Sequence, residues 1–272
     1  MTEMGGMNLE MERELEAHQS SGLNDDELVR AVTMKEHFIA IIKKNKLVQI
    51  GSFFVFAFVV LAIIGPYITP YNTTAATPSV NEAPSGAHWF GTDASGFDIF
   101  SRVLAAPRID VTIAVVATLL SLVMGSLIGL MASFFRGFAG ELVMRISDTV
   151  QAFPLFVLAI VVVVGFGRSY VVIVIVIALL NVPIYLRLIR AEVLSLRERT
   201  FVEAARATGD RGASIAIRHV LPNAMTPGFA QASITFGYSI IITAGLSFIG
   251  AGVQPPTPEW GSMIAAGKDG II

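Results

Sequence analysis

The sequence predicts an all-α, polytopic transmembrane helical bundle, and three observations carry that prediction. Hydrophobic residues make up 54% of the 272-residue chain and charged residues only 15%, where a soluble domain carries about 25% charged residues. The mean hydropathy is +0.68. The apolar residues are gathered into five stretches, each near the roughly 20 residues that a helix needs to span the hydrocarbon. Strands of a membrane barrel would be shorter and half polar.

Residues 1–34 form an acidic tail, with Glu3, Glu10, Glu12, Glu14, Glu16, Asp25, Asp26 and Glu27 against Arg13 and Arg30. Such a composition cannot bury a core. Asn24 followed by Glu27 resembles a capping box. Residues 35–46 carry Lys35, Lys43, Lys44 and Lys46 beside Phe38, Ile39 and Ile42, which predicts a basic amphipathic helix at the membrane surface; a solvated charged linker is the alternative. The region 47–272 holds the five spans: 47–68, 111–135, 150–166, 170–188 and 227–249. Pro154 stands near the start of the third and Pro183 lies inside the fourth.

Positive charge orients them. Arg136 and Arg145 lie between the second and third spans. Arg187, Arg190, Arg197, Arg199, Arg206, Arg211 and Arg218 lie between the fourth and fifth. The opposite side has Arg102, Arg108, Arg168 and Lys268. The amino terminus and the loop 187–225 are therefore expected in the cytoplasm, and the loop 69–110 outside. The first apolar run comes after a polar stretch and lacks a small-residue cleavage site, so it reads as a retained anchor.

The loop "EAARATGDRGASIAIRHVLPNA", Glu203 to Ala224, is unusually ordered. Its alanines favour a helix, Gly209 breaks it, Asp210 is placed to cap a second helix from about Arg211, and Pro222 closes that helix. Two short helices make a rigid knob, either an interfacial loop without a partner or a docking surface. Gly125-x-x-x-Gly129 with Ser121 predicts close helix packing. Asn181, Pro183, Thr243 and Gln151 are the polar candidates within the spans, more readily explained by satisfied packing than by contact with a cargo. Trp89 and Trp260 suit a membrane interface.

Several functions are excluded. The net charge is −2 with no concentrated basic patch, which argues against nucleic acid. The absence of cysteine removes disulfides and thiolate chemistry. Gly261 to Asp269 reads G-x5-G-K-D, one residue too long for a P-loop, so ATP is not expected on this chain. The four histidines are scattered and no catalytic constellation appears, so no enzyme, cofactor or metal site is expected. No Asp or Glu is visible in the five spans, which weakens a proton-coupled carrier.

The residues also carry a resemblance. Glu203, Ala204, Ala205, Gly209, Leu221 and Pro222 match the EAA loop of the membrane-spanning subunits of bacterial ATP-binding-cassette importers. His219 resembles the peptide-importer branch. "HWFGTDASGFDIFSRVLAAPRID" is similar to a signature of dipeptide, oligopeptide and nickel permeases, matching at Phe90, Gly91, Thr92, Asp93, Gly96, Asp98, Ser101 and Arg102. Phe97 stands there for an arginine, and Pro107 and Asp110 for small residues. The stretch is either a turn or a substrate-facing element. "GVQPPTPEWGSMIAAG" and the first span resemble the same branch, over roughly 35–272.

The resemblance implies a type I importer permease fold in the bacterial inner membrane. Its implied partners are a homologous second permease, two ATPase subunits that bind ATP and magnesium, an extracytoplasmic substrate-binding protein and membrane lipid. The EAA loop would dock on an ATPase. It also implies a sixth span after Gly267, where the chain is expected to be truncated. An ATPase-independent secondary carrier or channel is the competing reading; inverted repeats, its hallmark, are not seen.

Overall fold

The computed structural model describes residues 45–134 and 138–268. The acidic tail, nearly all of the basic segment 35–46 and the last residues lie outside them. Helix α1 is Lys46–Ile64, ended by a 3₁₀ turn at Gly65–Tyr67 around Pro66. Then come α2 (Ile99–Phe134), α3 (Phe138–Ala152), α4 (Leu155–Phe166) and α5 (Tyr170–Leu196). The short α6 (Thr200–Ala207) and α7 (Gly212–Ile215) lead through a π turn, Ala216–Val220, into α8 (Leu221–Ala224). Helices α9 (Thr226–Phe248) and α10 (Trp260–Gly267) complete the series. Contacts divide the chain inside α1 into two compact units, Met1–Phe56 and Ala57–Ile272. The second unit holds every helix from α2 to α10.

Among the described residues, four helices are long and apolar enough to cross a membrane: α1 with its 3₁₀ turn, α2, α5 and α9. The fifth candidate is α3 with α4, bent by 95°. The expected third span at 150–166 is thus not one straight helix. Pro154 precedes α4 with φ −57° and ψ 127°, and the residue before a proline avoids helical geometry. Helix α4 alone has 12 residues, about 18 Å at 1.5 Å per residue, too short to cross.

A second correction concerns α2. It begins at Ile99 rather than near Val111, so the last residues of the segment expected as loop 69–110 are helical. Pro107 sits inside the helix, and the Val103 carbonyl four residues before it, which its missing N–H leaves free, accepts Trp260 Nε1 at 3.3 Å instead.

Helix α2 packs along α5, and α9 packs against both. The predicted small-residue face makes the first contact. A Cβ on Gly125 would stand 2.8 Å from the Val182 carbonyl oxygen, and one on Gly129 would stand 2.7 Å from that of Leu186. The two backbones touch where these glycines lie. One apolar cluster joins α2, α4, α5 and α9 through Ile113, Val163, Ile177 and Leu246. A second joins the ends of α2 and α5 to the short helices through Leu130, Ile189, Val202 and Val220. Asn181 and Thr243 are buried and bond carbonyls of their own helices, at Ile177 and Ser239; Gln151 is exposed.

Candidate functional site

The short helices between α5 and α9 form the knob expected from sequence. Helix α6 ends in a full Schellman motif: the Gly209 N–H donates to the Arg206 carbonyl at 3.0 Å, and the Asp210 N–H donates to that of Ala205 at 3.2 Å. Gly209 has φ +88°, a conformation that costs a β-carbon residue strain. Val202, Ile215 and Val220 are buried against the ends of α2 and α5. Ala205 and Leu221 pack partly against the same cluster. Glu203, Ala204, Gly209 and Pro222 are exposed. The six EAA residues therefore lie on one unit, two turned inward and four outward. A small cavity of about 140 Å³ is left where the knob meets the ends of α2 and α5, with Ser133, Arg197, Arg206 and Gly212 in its wall.

Two local expectations fail here. Asp210 does not cap the following helix; Arg211 holds that position without a side-chain bond. The Asp210 carboxylate lies 3.7 Å from His219 Nε2 instead. Pro222 does not close the helix either. It falls in the first turn of α8, where a proline lacks nothing. The π turn before it closes with the Leu221 N–H on the Ala216 carbonyl, so the chain stays helical.

At the other end, the stretch around Phe90–Arg102 folds as a turn that anchors α2. Gly91 and Gly96 take φ +75° and +79°. Asp93 Oδ1 accepts the N–H groups of Ser95 and Phe97, both at 2.9 Å. Thr92 pairs with Asp98 in an isolated antiparallel bridge, and its hydroxyl oxygen accepts the Glu82 N–H at 2.9 Å. Asp98 precedes α2 and accepts the Ser101 N–H at 2.8 Å, with His88 Nδ1 at 2.8 Å on its other oxygen. Burial alone would push the Asp98 carboxyl up. The bonds from the Ser101 hydroxyl and N–H, with His88, outweigh burial and hold it below the usual carboxylate range. The Ser101 Oγ accepts the Tyr71 N–H at 3.1 Å.

Arg102 is buried at 3% exposure. It donates to the carbonyls of Thr73 at 3.2 Å, Pro256 at 3.0 Å and Thr257 at 3.4 Å, and lies 4.5 Å over the Phe97 ring. Phe97, where the resembled signature has an arginine, thus serves as a face for Arg102. The motif residues turn into the protein; Trp89 and Phe90 remain exposed. Trp260 donates to the Val103 carbonyl at 3.3 Å.

Sequence reasoning missed a buried carboxyl pair. Asp110 lies within α2 at 1% exposure, contrary to the expectation that the spans hold no acid. Glu259 lies beside it at 0% exposure. Glu259 caps α10, accepting the N–H groups of Gly261 at 2.9 Å and Ser262 at 2.7 Å. Once α2 is started twelve residues earlier, Asp110 becomes visible as an intramembrane acid.

Two family models match this helical chain. Residues 121–271, more than half of the chain and including the knob, match the binding-protein-dependent transport system inner membrane component. Residues 37–84 match the N-terminal transmembrane domain of oligopeptide transport permease C. The chain belongs to the binding-protein-dependent transport permeases. Among relatives, the dipeptide transport system permease protein DppC of Alkalihalophilus pseudofirmus is 39% identical over 231 residues, covering 85% of this chain and 76% of the relative. Glutathione transport system permease proteins GsiD of Pectobacterium atrosepticum and Escherichia coli are 36% and 38% identical, covering 82% and 85% of this chain and 74% and 77% of theirs.

The protein is therefore a multi-pass inner-membrane permease of the ABC peptide and glutathione importer family. It is a transport subunit rather than an enzyme, ATP hydrolysis being the task of other subunits of the importer.

Proposed function

We propose that this permease forms half of an import pathway for short peptides and takes its drive from cytoplasmic ATPase subunits through the knob. A homologous permease supplies the other half, two ATPase subunits with ATP and magnesium lie below, and a substrate-binding protein delivers cargo from outside. The amino terminus and the knob then face the cytoplasm, which the arginine-rich loop supports. The observation that carries the reading is the Schellman-closed knob. Its outward residues Glu203, Ala204, Gly209 and Pro222 stand on an apolar base shared with α2 and α5. A push on such a body moves both helices, whereas a loose loop would absorb it.

The mechanism is two-state. Closure of the ATPase dimer favours one position of the knob, and the helices move with it because the knob and their ends share one core. Gly209→Val tests it, because valine strains the φ +88° turn and reshapes the outward surface. Uptake should be lost at unchanged membrane levels of the importer. Normal substrate-stimulated ATPase activity in this variant would refute the coupling role. For cargo, the names of the relatives support dipeptides and glutathione, both short peptides. Competition between a labelled dipeptide, glutathione and a nickel complex for uptake separates them.

A further inference from the structure

The membrane helices carry an ion pair on their outer surface. Arg187 on α5 donates from Nη2 to Oδ1 of Asp148 on α3 at 2.6 Å. The two side chains keep 43% and 55% exposure. Both belong to segments apolar enough to cross a membrane, and Arg187 stands where α5 enters the arginine-rich loop 187–225 expected in the cytoplasm. Hydrocarbon is a poor neighbour for either charge; such residues turn to protein or to water.

The pair continues a stripe. Glu141, Arg145, Asp148 and Thr149 fall at i, i+4, i+7 and i+8 on α3, which is one helix face, and all four are exposed. The other face buries Gly140 and Ser147 and closes, with α4 and α5, an apolar cavity of about 480 Å³ lined by Val143, Val150, Val162 and Pro183 among others. Helix α3 therefore has an apolar side that this chain covers and, beside the exposed Leu142 and Ile146, a polar stripe that it leaves open, ending at Arg187.

We propose that Asp148 and Arg187 line the polar route through the permease and meet the charged ends of the cargo, Asp148 its ammonium and Arg187 its carboxylate. This rests on the reading of the chain as an importer of short peptides. In the empty route the two charges neutralise each other. A zwitterionic peptide replaces each partner by a group of the same sign, so no charge is left unpaired in a confined space. Guanidinium matches carboxylate with two parallel N–H donors, which suits Arg187 to a free carboxyl terminus. Because the pair also ties α3 to α5, the exchange frees one helix from the other as cargo enters.

The chain has no cysteine, so Asp148→Cys or Arg187→Cys introduces a single thiol. In the complete importer in proteoliposomes, both thiols should react with a charged thiosulfonate, and a saturating dipeptide should slow that reaction several-fold. Val164→Cys, on the exposed apolar surface of α4, should stay unreactive. Reaction at 148 and 187 that dipeptide leaves unchanged would place the pair on an ordinary water-facing surface and overturn the proposal. Absence of reaction would mean that a neighbouring subunit covers the pair, with the same consequence.

Transport kinetics give a second reading. Asp148→Asn should erase the preference in KM for a free over an N-acetylated dipeptide, and Arg187→Gln the preference for a free over an amidated carboxyl end. Asp148→Glu and Arg187→Lys should largely restore these preferences. Equal losses for free and blocked peptides, repaired in full by the swap D148R/R187D, would show a purely structural pair. A wild-type importer that takes up no dipeptide would fail the importer reading itself, and this inference with it.

Discussion

The turn around Phe90–Arg102 and the knob around Glu203–Pro222 are the two regions richest in recognisable sequence, and they spend it differently. In the turn, Thr92, Asp98, Ser101 and Arg102 are buried and bonded to chain from residue 71 to residue 257. In the knob, Glu203, Ala204, Gly209 and Pro222 are exposed, and the base beneath them is ordinary apolar packing. A motif turned inward holds an anchor; a motif turned outward on a rigid base offers a surface. The same density of signature residues is thus spent on internal bonds in one place and left on an exposed surface in the other.

The sharpest way to break this contrast is Arg102→Ala. Three carbonyls from distant loops lose their donor, and stability should fall by about 3 kcal/mol, the scale of a buried, charge-assisted set of bonds. Thermal unfolding of the purified importer checks it; an unchanged Tm would mean that the turn is not an anchor. Asp98→Ala comes next. It removes the cap of α2 and the His88 partner at a cost of about 2 kcal/mol.

The Asp98 substitution also has a pH signature. The folded carboxyl is held below its usual range, so its stabilisation is present above the ordinary carboxyl pKa and is lost as pH falls through the folded value. The variant should lose part of the acid-side decline of Tm that the wild type shows. Equal acid-side profiles would remove Asp98 from that role.

The smallest stability effects belong to the knob's outer surface. Pro222→Ala and Glu203→Gln should each change stability by less than about 0.5 kcal/mol, as surface substitutions do, yet both should lower cargo-stimulated ATPase activity. Lowered activity with a matching loss of Tm would blur the contrast, because the outward residues would then be structural as well.

How much was legible in the sequence depends on how local each signal is. Long apolar runs gave α1, α5 and α9, and the glycine spacing at 125 and 129 gave the α2–α5 contact. The break at Gly209 was readable because a Schellman end needs a positive φ at that position. The stop at Pro222 was misread because a π turn, which nothing in the composition announces, lets a helix run into a proline. The start of α2 was misread because Arg102, Pro107, Arg108 and Asp110 depress hydropathy over its first three turns. The carbonyls that satisfy Arg102 lie as far as 155 residues away, beyond any local pattern. Pro154 marked a break, but its 95° bend depends on how α3 and α4 pack against α5.

The central claim is that the outward face of the knob meets an ATPase subunit and moves with nucleotide. In the cysteine-free chain, Ala204→Cys supplies a single thiol on that face, and its cross-linking to single cysteines on the ATPase surface can be measured with and without ATP. The yield should be high with one ATPase position and should change on ATP binding, while Val164→Cys gives none. No cross-link at Ala204→Cys in an importer that still transports, or a yield indifferent to nucleotide, would contradict the coupling role.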